Sequence, residues 1–256
     1  HLPLILELAR DTMSERRLVG DLTLDELARR AMRAAHEMTS RDVSTVVYCD
    51  TNSVAFPIAL FGAALAGIPF APVNYRLADD ALRTLVRRTA PALVIAGEGV
   101  AERLGDQAGI TMVSRPDFLV STDPADVTFE SVDLDPSAPA VLLFTSGTTG
   151  EPKAAVLRHE NLATYVLSTV ELAGSDVDDA ALVSVPPYHI AGVSAVLSNV
   201  YAGRRIVYLE SFDPQSWVDM VAGHGVTHAM VVPTMLHRVL DVLAERAEGL
   251  PGLRHL

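Results

Sequence analysis

The chain has 256 residues, 49% of them hydrophobic, and a formal net charge of −12, with a mean hydropathy of +0.27. That length and apolar content suit one large domain or two small ones around a sizeable core. An acidic balance with no basic block argues against nucleic acid as a partner, because nothing offsets the repulsion of its phosphates.

In chain order, the start His1-Leu2-Pro3-Leu4 lacks the charged region and cleavage pattern of a signal peptide. Apolar spacing predicts a short helix over 4–10. A stronger one follows, opened by Thr23, with Asp25 and Glu26 in its first turn and Leu24, Leu27, Ala28 and Ala31 on its apolar face. Residues 43–49 read as a β-branched strand ending in Cys49. This lone cysteine allows no internal disulfide, fits a reducing compartment and reads as a buried, inert thiol. Asn52 or Ser53 is expected to cap the next helix, which carries Phe56, Leu60, Phe61 and Leu65 and stops at Gly67. A short strand over 69–73 runs through Asn74-Tyr75-Arg76-Leu77 to a helix opened by Asp79 and Asp80 and ended by Pro91. Leu93-Val94-Ile95 is again a buried strand. Helices alternating with apolar strands predict an α/β fold of layered parallel or mixed sheets with flanking helices. Residues 97–138 are less regular, with a weak strand at 110–113, and read as a connection between possible halves 1–130 and 131–256.

The second half opens on an apolar run over 140–144, then Thr145-Ser146-Gly147-Thr148-Thr149-Gly150-Glu151-Pro152-Lys153, then a second apolar run over 154–157. Two predicted strands thus flank a loop of hydroxyls, two glycines and a lysine. Glycines let backbone N–H groups converge, hydroxyls add donors and the lysine adds charge, which is the chemistry of a phosphate-holding loop. The same residue types also suit an ordinary surface turn. It is not the common P-loop, whose lysine follows the last glycine directly; here Glu151 and Pro152 intervene, and Pro152 has no N–H to give. The chain is expected to leave the loop as a strand.

Beyond the loop we predict a helix over 161–172, a strand over 181–185, and a small apolar helix after Pro186-Pro187-Tyr188-His189-Ile190-Ala191-Gly192. A strand over 205–209, a helix opened by Asp213-Pro214, a strand over 226–232 and a last helix from Pro233 to residue 247 complete the pattern. No apolar run reaches the ~20 residues of a membrane span, so a soluble, cytoplasmic protein is expected. His224 and His228 are four apart, but Gly223 and Gly225 interrupt the helix and no glutamate follows His224 as in a zinc-protease helix, so a metal pair is not expected. His36, His159 and His237 read as surface or capping residues. His189 differs, since it follows two prolines and an aromatic at a strand end, where ligands bind in parallel sheets. A packed histidine satisfied by a backbone carbonyl is the alternative.

These residues together carry a family. The loop from Thr145 to Lys153 closely resembles the phosphate loop of the adenylate-forming superfamily, which holds acyl- and aryl-CoA synthetases, peptide-synthetase adenylation domains and beetle luciferases. Ala66-Gly67-Ile68-Pro69-Phe70-Ala71-Pro72-Val73-Asn74-Tyr75-Arg76-Leu77 is similar to the family's upstream signature. Pro187-Tyr188-His189-Ile190-Ala191-Gly192 resembles its Pro-x-aromatic/His-x-x-Gly segment, and Val231-Val232-Pro233-Thr234 its Val-Pro-Thr helix start. The signatures occur in the family's order and the resemblance covers essentially the whole chain, nearest to fatty-acid or medium-chain acyl-CoA ligases.

The resemblance implies an enzyme that joins a carboxylate, here a fatty acid, to the α-phosphate of ATP, releases pyrophosphate, and passes the acyl group to coenzyme A. It implies that Thr145, Ser146, Gly147, Thr148, Thr149, Gly150 and Lys153 embrace the β- and γ-phosphates, with Thr145 also contacting Mg2+. His189 would lie beside the reacting carboxylate, making it and Lys153 the candidate catalytic residues, and Gly192 and Val193 would begin the acyl wall. Ala154 departs from the family's glycine at that position, and its methyl forbids some conformations that glycine allows. The family's adenine site, Thr-Glu magnesium pair, ribose-binding Asp and C-terminal catalytic lysine have no counterpart up to Leu256. The expectation is therefore a partial N-terminal adenylation domain over 1–256 that is inactive alone. An acyl-AMP ligase serving a carrier protein, and a non-catalytic acyl- or nucleotide-binding module, stand as alternatives. An unfinished sheet edge would favour self-association.

Overall fold

The computed structural model describes residues 1–123, 132–145, 153–247 and 249–256. Its first elements are α1 (Leu2–Met13), β1 (Arg17–Val19), β2 (Leu22–Thr23), α2 (Leu24–Thr39), β3 (Thr45–Cys49), α3 (Ala55–Ala66) and β4 (Phe70–Pro72). Then come α4 (Asp79–Arg87), β5 (Ala92–Ala96), α5 (Val100–Leu104), β6 (Ile110–Ser114), α6 (Arg115–Ser121), β7 (Pro139–Thr145) and β8 (Lys153–Arg158). The chain continues through α7 (His159–Thr169), β9 (Ala180–Val183), α8 (Ile190–Ala202), β10 (Arg205–Tyr208), α9 (Pro214–Gly223), β11 (His228–Ala229) and α10 (Pro233–Arg246).

Among the described residues the strands form two mixed sheets. The first runs β6-β5-β3-β4-β7-β8 and the second β11-β9-β10-β1-β2. Within the first, pairing is parallel except between β7 and β8; within the second it is parallel except between β1 and β2. Each sheet draws on both sides of residues 130/131, since β7 and β8 join the first sheet and β1 and β2 the second.

Alternating burial explains the layers. On one face of the first sheet, Val47, Cys49, Ala71, Val94 and Ala96 pack with Leu82, Leu85 and Val86 of α4 and Val100 and Leu104 of α5. On the other face, Val46, Tyr48, Phe70, Leu93 and Ile95 meet α1, α2 and α3, and the same core continues into α8 and the second sheet's Val183 and Ile206. The second sheet's outer face, with Ala180, Leu182 and Val207, packs on Trp217, Val218 and Val221 of α9 and Val239 and Val242 of α10. Three helical layers thus alternate with two sheets.

The central layer is set by α3, whose residues are all buried. Such a helix has no solvated face and must be covered all round. A Cβ on Gly62 would lie 2.7 Å from Ala34 Cβ and 3.2 Å from the Ala31 carbonyl, so glycine is what lets α3 seat this closely on α2. Gly67 ends α3 in the left-handed region at φ 69°. The predicted opening of α2 is present as a capping box, with Thr23 Oγ1 accepting from the Glu26 N–H and Glu26 accepting from the Thr23 N–H.

Several expectations are corrected. The N-cap of α3 is Val54 with no side-chain cap; Ser53 Oγ accepts the Ala55 N–H at 3.3 Å and shares a hydrogen bond with the Tyr48 hydroxyl at 2.9 Å, and Asn52 serves elsewhere. The stretch 97–138 carries α5 and α6 as well as β6. The strand expected over 226–232 is ladder-paired only at His228–Ala229. The hairpin of β1 and β2 has too few residues to show a periodic pattern and was not anticipated. Cys49 is buried, and burial pushes its thiol up to about 12, keeping it protonated and inert.

His159, expected as a surface or capping residue, is not at the surface: it is 2% exposed. Its Nδ1 accepts the N–H of Leu2 at 3.3 Å, satisfying one orphan donor at the start of α1. That bond requires an unprotonated Nδ1, and burial lowers the imidazole from 6.5 to about 4. The folded state therefore refuses a proton that the unfolded state takes up. The resulting stability is present above 6.5 and is lost as pH falls through that value to about 4. The expected loss is on the order of 2–3 kcal/mol. Urea unfolding midpoints at neutral and acidic pH check it, with His159→Asn flattening this part of the profile; an equally steep variant would contradict the assignment.

Candidate functional site

The loop ends are held by the antiparallel pairing of β7 and β8. Their register runs from Val141 opposite Leu157 to Thr145 opposite Lys153. Thr145 Oγ1 also reaches the Lys153 carbonyl at 3.4 Å. The apolar runs on either side of the loop form these strands, which bring Thr145 and Lys153 side by side, both exposed. Ser146, Gly147, Thr148, Thr149 and Gly150 lie outside the described residues, as do Glu151 and Pro152. Lys153 supplies a cation at the loop base, and Thr145 a hydroxyl that can accept at a metal or donate to a phosphate.

His189 is the N-cap residue of α8, in extended conformation, and its side chain is exposed. Its N–H donates to the Pro186 carbonyl at 3.2 Å and its own carbonyl accepts from Gly192 at 2.9 Å, forming a tight turn into the helix. A Cβ on Gly192 would lie 2.9 Å from both the Pro186 oxygen and Pro187 Cα, so only glycine fits inside that turn. The packed, carbonyl-satisfied histidine considered from sequence is not the arrangement found. The His189 ring instead lies 4.7 Å from Tyr188, which meets Tyr75 edge-on at 5.8 Å, and the Arg76 guanidinium sits 5.4 Å from the Tyr75 ring centre. Two motifs more than a hundred residues apart therefore share one aromatic row. Burial raises the Tyr188 hydroxyl above its usual range.

This row borders a cavity of about 350 Å³ whose wall includes Tyr75, Arg76, Val185, His189, Met235 and Arg238. A second cavity, of about 200 Å³, adjoins it through Val185 and is walled by Ser194, Ala195, Ser198 and Asn199 of α8. Val193 lies on neither wall: it is fully buried in the central core. Helical phase explains this, because Val193, Val196, Leu197 and Val200 are all buried in that core while Ser194 and Ser198, four apart, share the cavity-facing stripe.

The residues sequence reasoning missed are those joining the sheets beneath the site. Asn52 is buried, and its Nδ2 donates to the Val185 carbonyl at 3.0 Å and the Leu209 carbonyl at 3.1 Å. Arg115, at the start of α6, reaches Asp50 Oδ2 at 3.3 Å and Glu210 Oε1 at 3.6 Å, one carboxylate from each sheet's loops. Asp50 is itself 3% exposed, and burial raises its carboxyl despite the Thr51 hydrogen bonds and Arg115 that favour its charge. The signal available beforehand was a polar run, Asp50-Thr51-Asn52-Ser53, directly after a fully buried strand. Among the described residues there is no group of three His, Cys, Asp or Glu that could hold a metal. None of the helices described is long and apolar enough to cross a membrane.

Known proteins place this geometry in context. The AMP-binding enzyme family model matches residues 9–256. Fatty acid–[acyl-carrier-protein] ligase ScoC of Streptomyces coeruleorubidus is 29% identical over 249 residues, 91% of this chain and 47% of that protein. Feruloyl-CoA synthase of an Amycolatopsis species is 29% identical over 239 residues, 92% of this chain and 48% of its own length. The chain thus spans about half the length of the curated relatives it matches. In structure, the N-terminal domain of FACL13 from Mycobacterium tuberculosis superposes with a TM-score of 0.85 at 23% identity, covering 98% of this chain and 68% of that one.

Replacing Asn52 by Ala leaves the Val185 and Leu209 carbonyls without a donor. We expect a loss of roughly 2–4 kcal/mol for one buried and one part-buried bond, measured by urea unfolding. A change under about 0.5 kcal/mol would show that the bridge contributes little.

Proposed function

The chain belongs to the AMP-binding enzyme family, and on that premise we propose that the protein activates a carboxylic acid, a fatty acid in the first instance, as an acyl-adenylate and transfers the acyl group to coenzyme A. The observation that carries this reading is the β7–β8 register, which sets Thr145 and Lys153 side by side at the mouth of the loop. In this reading Lys153, Thr145 and the loop residues Ser146, Gly147, Thr148, Thr149 and Gly150 hold the β- and γ-phosphates of ATP. Magnesium, with Thr145 as a protein contact, fits a hydroxyl-bearing site in which substrate phosphates supply the remaining oxygens. When bound, it neutralises charge on the phosphates. Donors and a cation fixed there stabilise the charge that develops on departing pyrophosphate.

His189 is then the group beside the reacting carboxylate, orienting it for attack on the α-phosphorus. The tight turn made possible by Gly192 and the row through Tyr188 to Tyr75 hold the ring in place. Gly192 begins the acyl wall through the turn it permits, and Val193 supports that wall from the core side.

A second reading, transfer of the acyl group to a carrier protein, is favoured by the similarity to an acyl-carrier-protein ligase. The two share the adenylation step and part at the acceptor, so assaying both acceptors separates them.

Acid-dependent exchange of pyrophosphate into ATP by the intact protein tests the common step. Lys153→Ala is expected to lower exchange by about a hundredfold while leaving the fold unchanged, because Lys153 is exposed. His189→Ala is expected to lower turnover more than stability, and unchanged exchange in both variants would count against the site. Residues 1–256 by themselves are expected to show no exchange; robust acid-dependent exchange by that span would overturn this last point.

A further inference from the structure

Residues 209–212 join β10 to α9, and each of them is held by a different part of the fold. The N–H of Leu209 donates to the Val183 carbonyl at 3.1 Å, and its own carbonyl accepts from Asn52. Glu210 pairs with Arg115 at 3.6 Å. Ser211 Oγ accepts from Arg76 Nη2 at 3.1 Å. Phe212 lies under Arg238 of α10, whose guanidinium is 5.3 Å from the ring centre. Asp213 closes the segment by capping α9, accepting the Ser216 N–H at 2.8 Å. Contacts on both sides leave Ser211 little freedom to move by itself.

The bond that Ser211 makes goes to the outer end of the aromatic row. The Arg76 guanidinium lies 5.4 Å from the Tyr75 ring centre, Tyr75 meets Tyr188 edge-on, and Tyr188 stands beside His189. The backbone at Arg76 is fixed as well, since Asn74 Oδ1 accepts its N–H at 2.9 Å. No side-chain bond from His189 caps α8, so the orientation of its ring depends on the row beside it. Arg76, Ser211 and His189 all border the cavity of about 350 Å³.

We propose that Ser211 is a positioning residue for the adenylation step, acting on His189 through Arg76 and the rings of Tyr75 and Tyr188. The assignment rests on the acid-activating reading above, in which His189 orients the carboxylate. With no acceptor at residue 211, the guanidinium can turn away from the Tyr75 face, and the row loses both its cation and its outer stop. A ring that is no longer held at one angle still admits the acid but presents it less often in the reactive geometry, which costs rate rather than affinity.

The test is Ser211→Ala, which removes the acceptor at an exposed position and is checked for an unchanged melting profile, with Ser211→Thr restoring the hydroxyl. The first readout is the ring C–H NMR signal of His189 in the intact protein, identified by its loss in His189→Ala and sensitive to the ring current of Tyr188. In Ser211→Ala it is expected to move while the signal of the buried His159 stays, and to return in Ser211→Thr. Arg76→Met removes the same bond from its other end and is expected to move the signal likewise. The second readout is acid-dependent pyrophosphate exchange, in which Ser211→Ala is expected to lower kcat about tenfold and to change KM for the acid less than about twofold. A His189 signal unmoved in both variants overturns the assignment, and so does a moved signal with unchanged kcat. Unchanged exchange in His189→Ala would overturn the orienting role of His189 itself, a failure distinct from that of the Ser211 contact, which the NMR signal reports without turnover.

Discussion

One buried carboxamide sets the spatial relation on which the site depends. Asn52 leaves the C-terminal end of β3 in the first sheet and donates to two carbonyls, Val185 and Leu209, that follow β9 and β10 of the second. The Val185 bond is buried and the Leu209 bond part-buried, and an unpaired carbonyl there is costly, so the two sheets are held at one separation rather than a range of them. Val185 is followed directly by the Pro186–His189 turn. The same amide that joins the sheets therefore fixes the height at which His189 emerges. Arg115 reinforces the joint from the side, between Asp50 and Glu210. Because Asp50 is desolvated, removing Arg115 would leave a buried charge that favours protonation.

The second constraint is the central helical layer. The fully buried α3 packs against α2 through the Gly62–Ala34 approach, and the core it forms runs without a break from Phe70 of the first sheet to Ile206 of the second. A continuous core of this kind transmits position, since close-packed side chains cannot shift singly. The strand ends at Thr145 and Lys153 and the histidine turn before α8 are thus placed by a shared interior.

Much of this was readable in the chain. Amphipathic spacing marked α2 and α4, and apolar runs bounded by turn residues marked β3, β5, β7 and β8, because these patterns follow from the period of each element. The nine residues from Thr145 to Lys153 carried the family resemblance by type and order. The failures share a cause. Asn52 looked like a helix cap because Asn is a good one locally, and His159 like a surface or capping residue, although it is buried and the N–H it caps is distant in sequence. Each was claimed by a partner far away in sequence, Val185 and Leu209 in one case and Leu2 in the other. Ser194 and Ser198 were passed over for Val193 because the phase of α8 relative to its neighbours cannot be read from an apolar helix with little asymmetry.

By itself, then, the sequence determined most of the element types, the α/β class and the family, since all of these depend on residue identity over short spans. Only the tertiary structure decided that Tyr75, Tyr188 and His189 form one row, that β1 and β2 complete the second sheet, and that Asn52 reaches the Val185 and Leu209 carbonyls. Those outcomes depend on hydrogen bonds and packing between segments up to 190 or so residues apart, for which the chain carries no local period and no spacing rule.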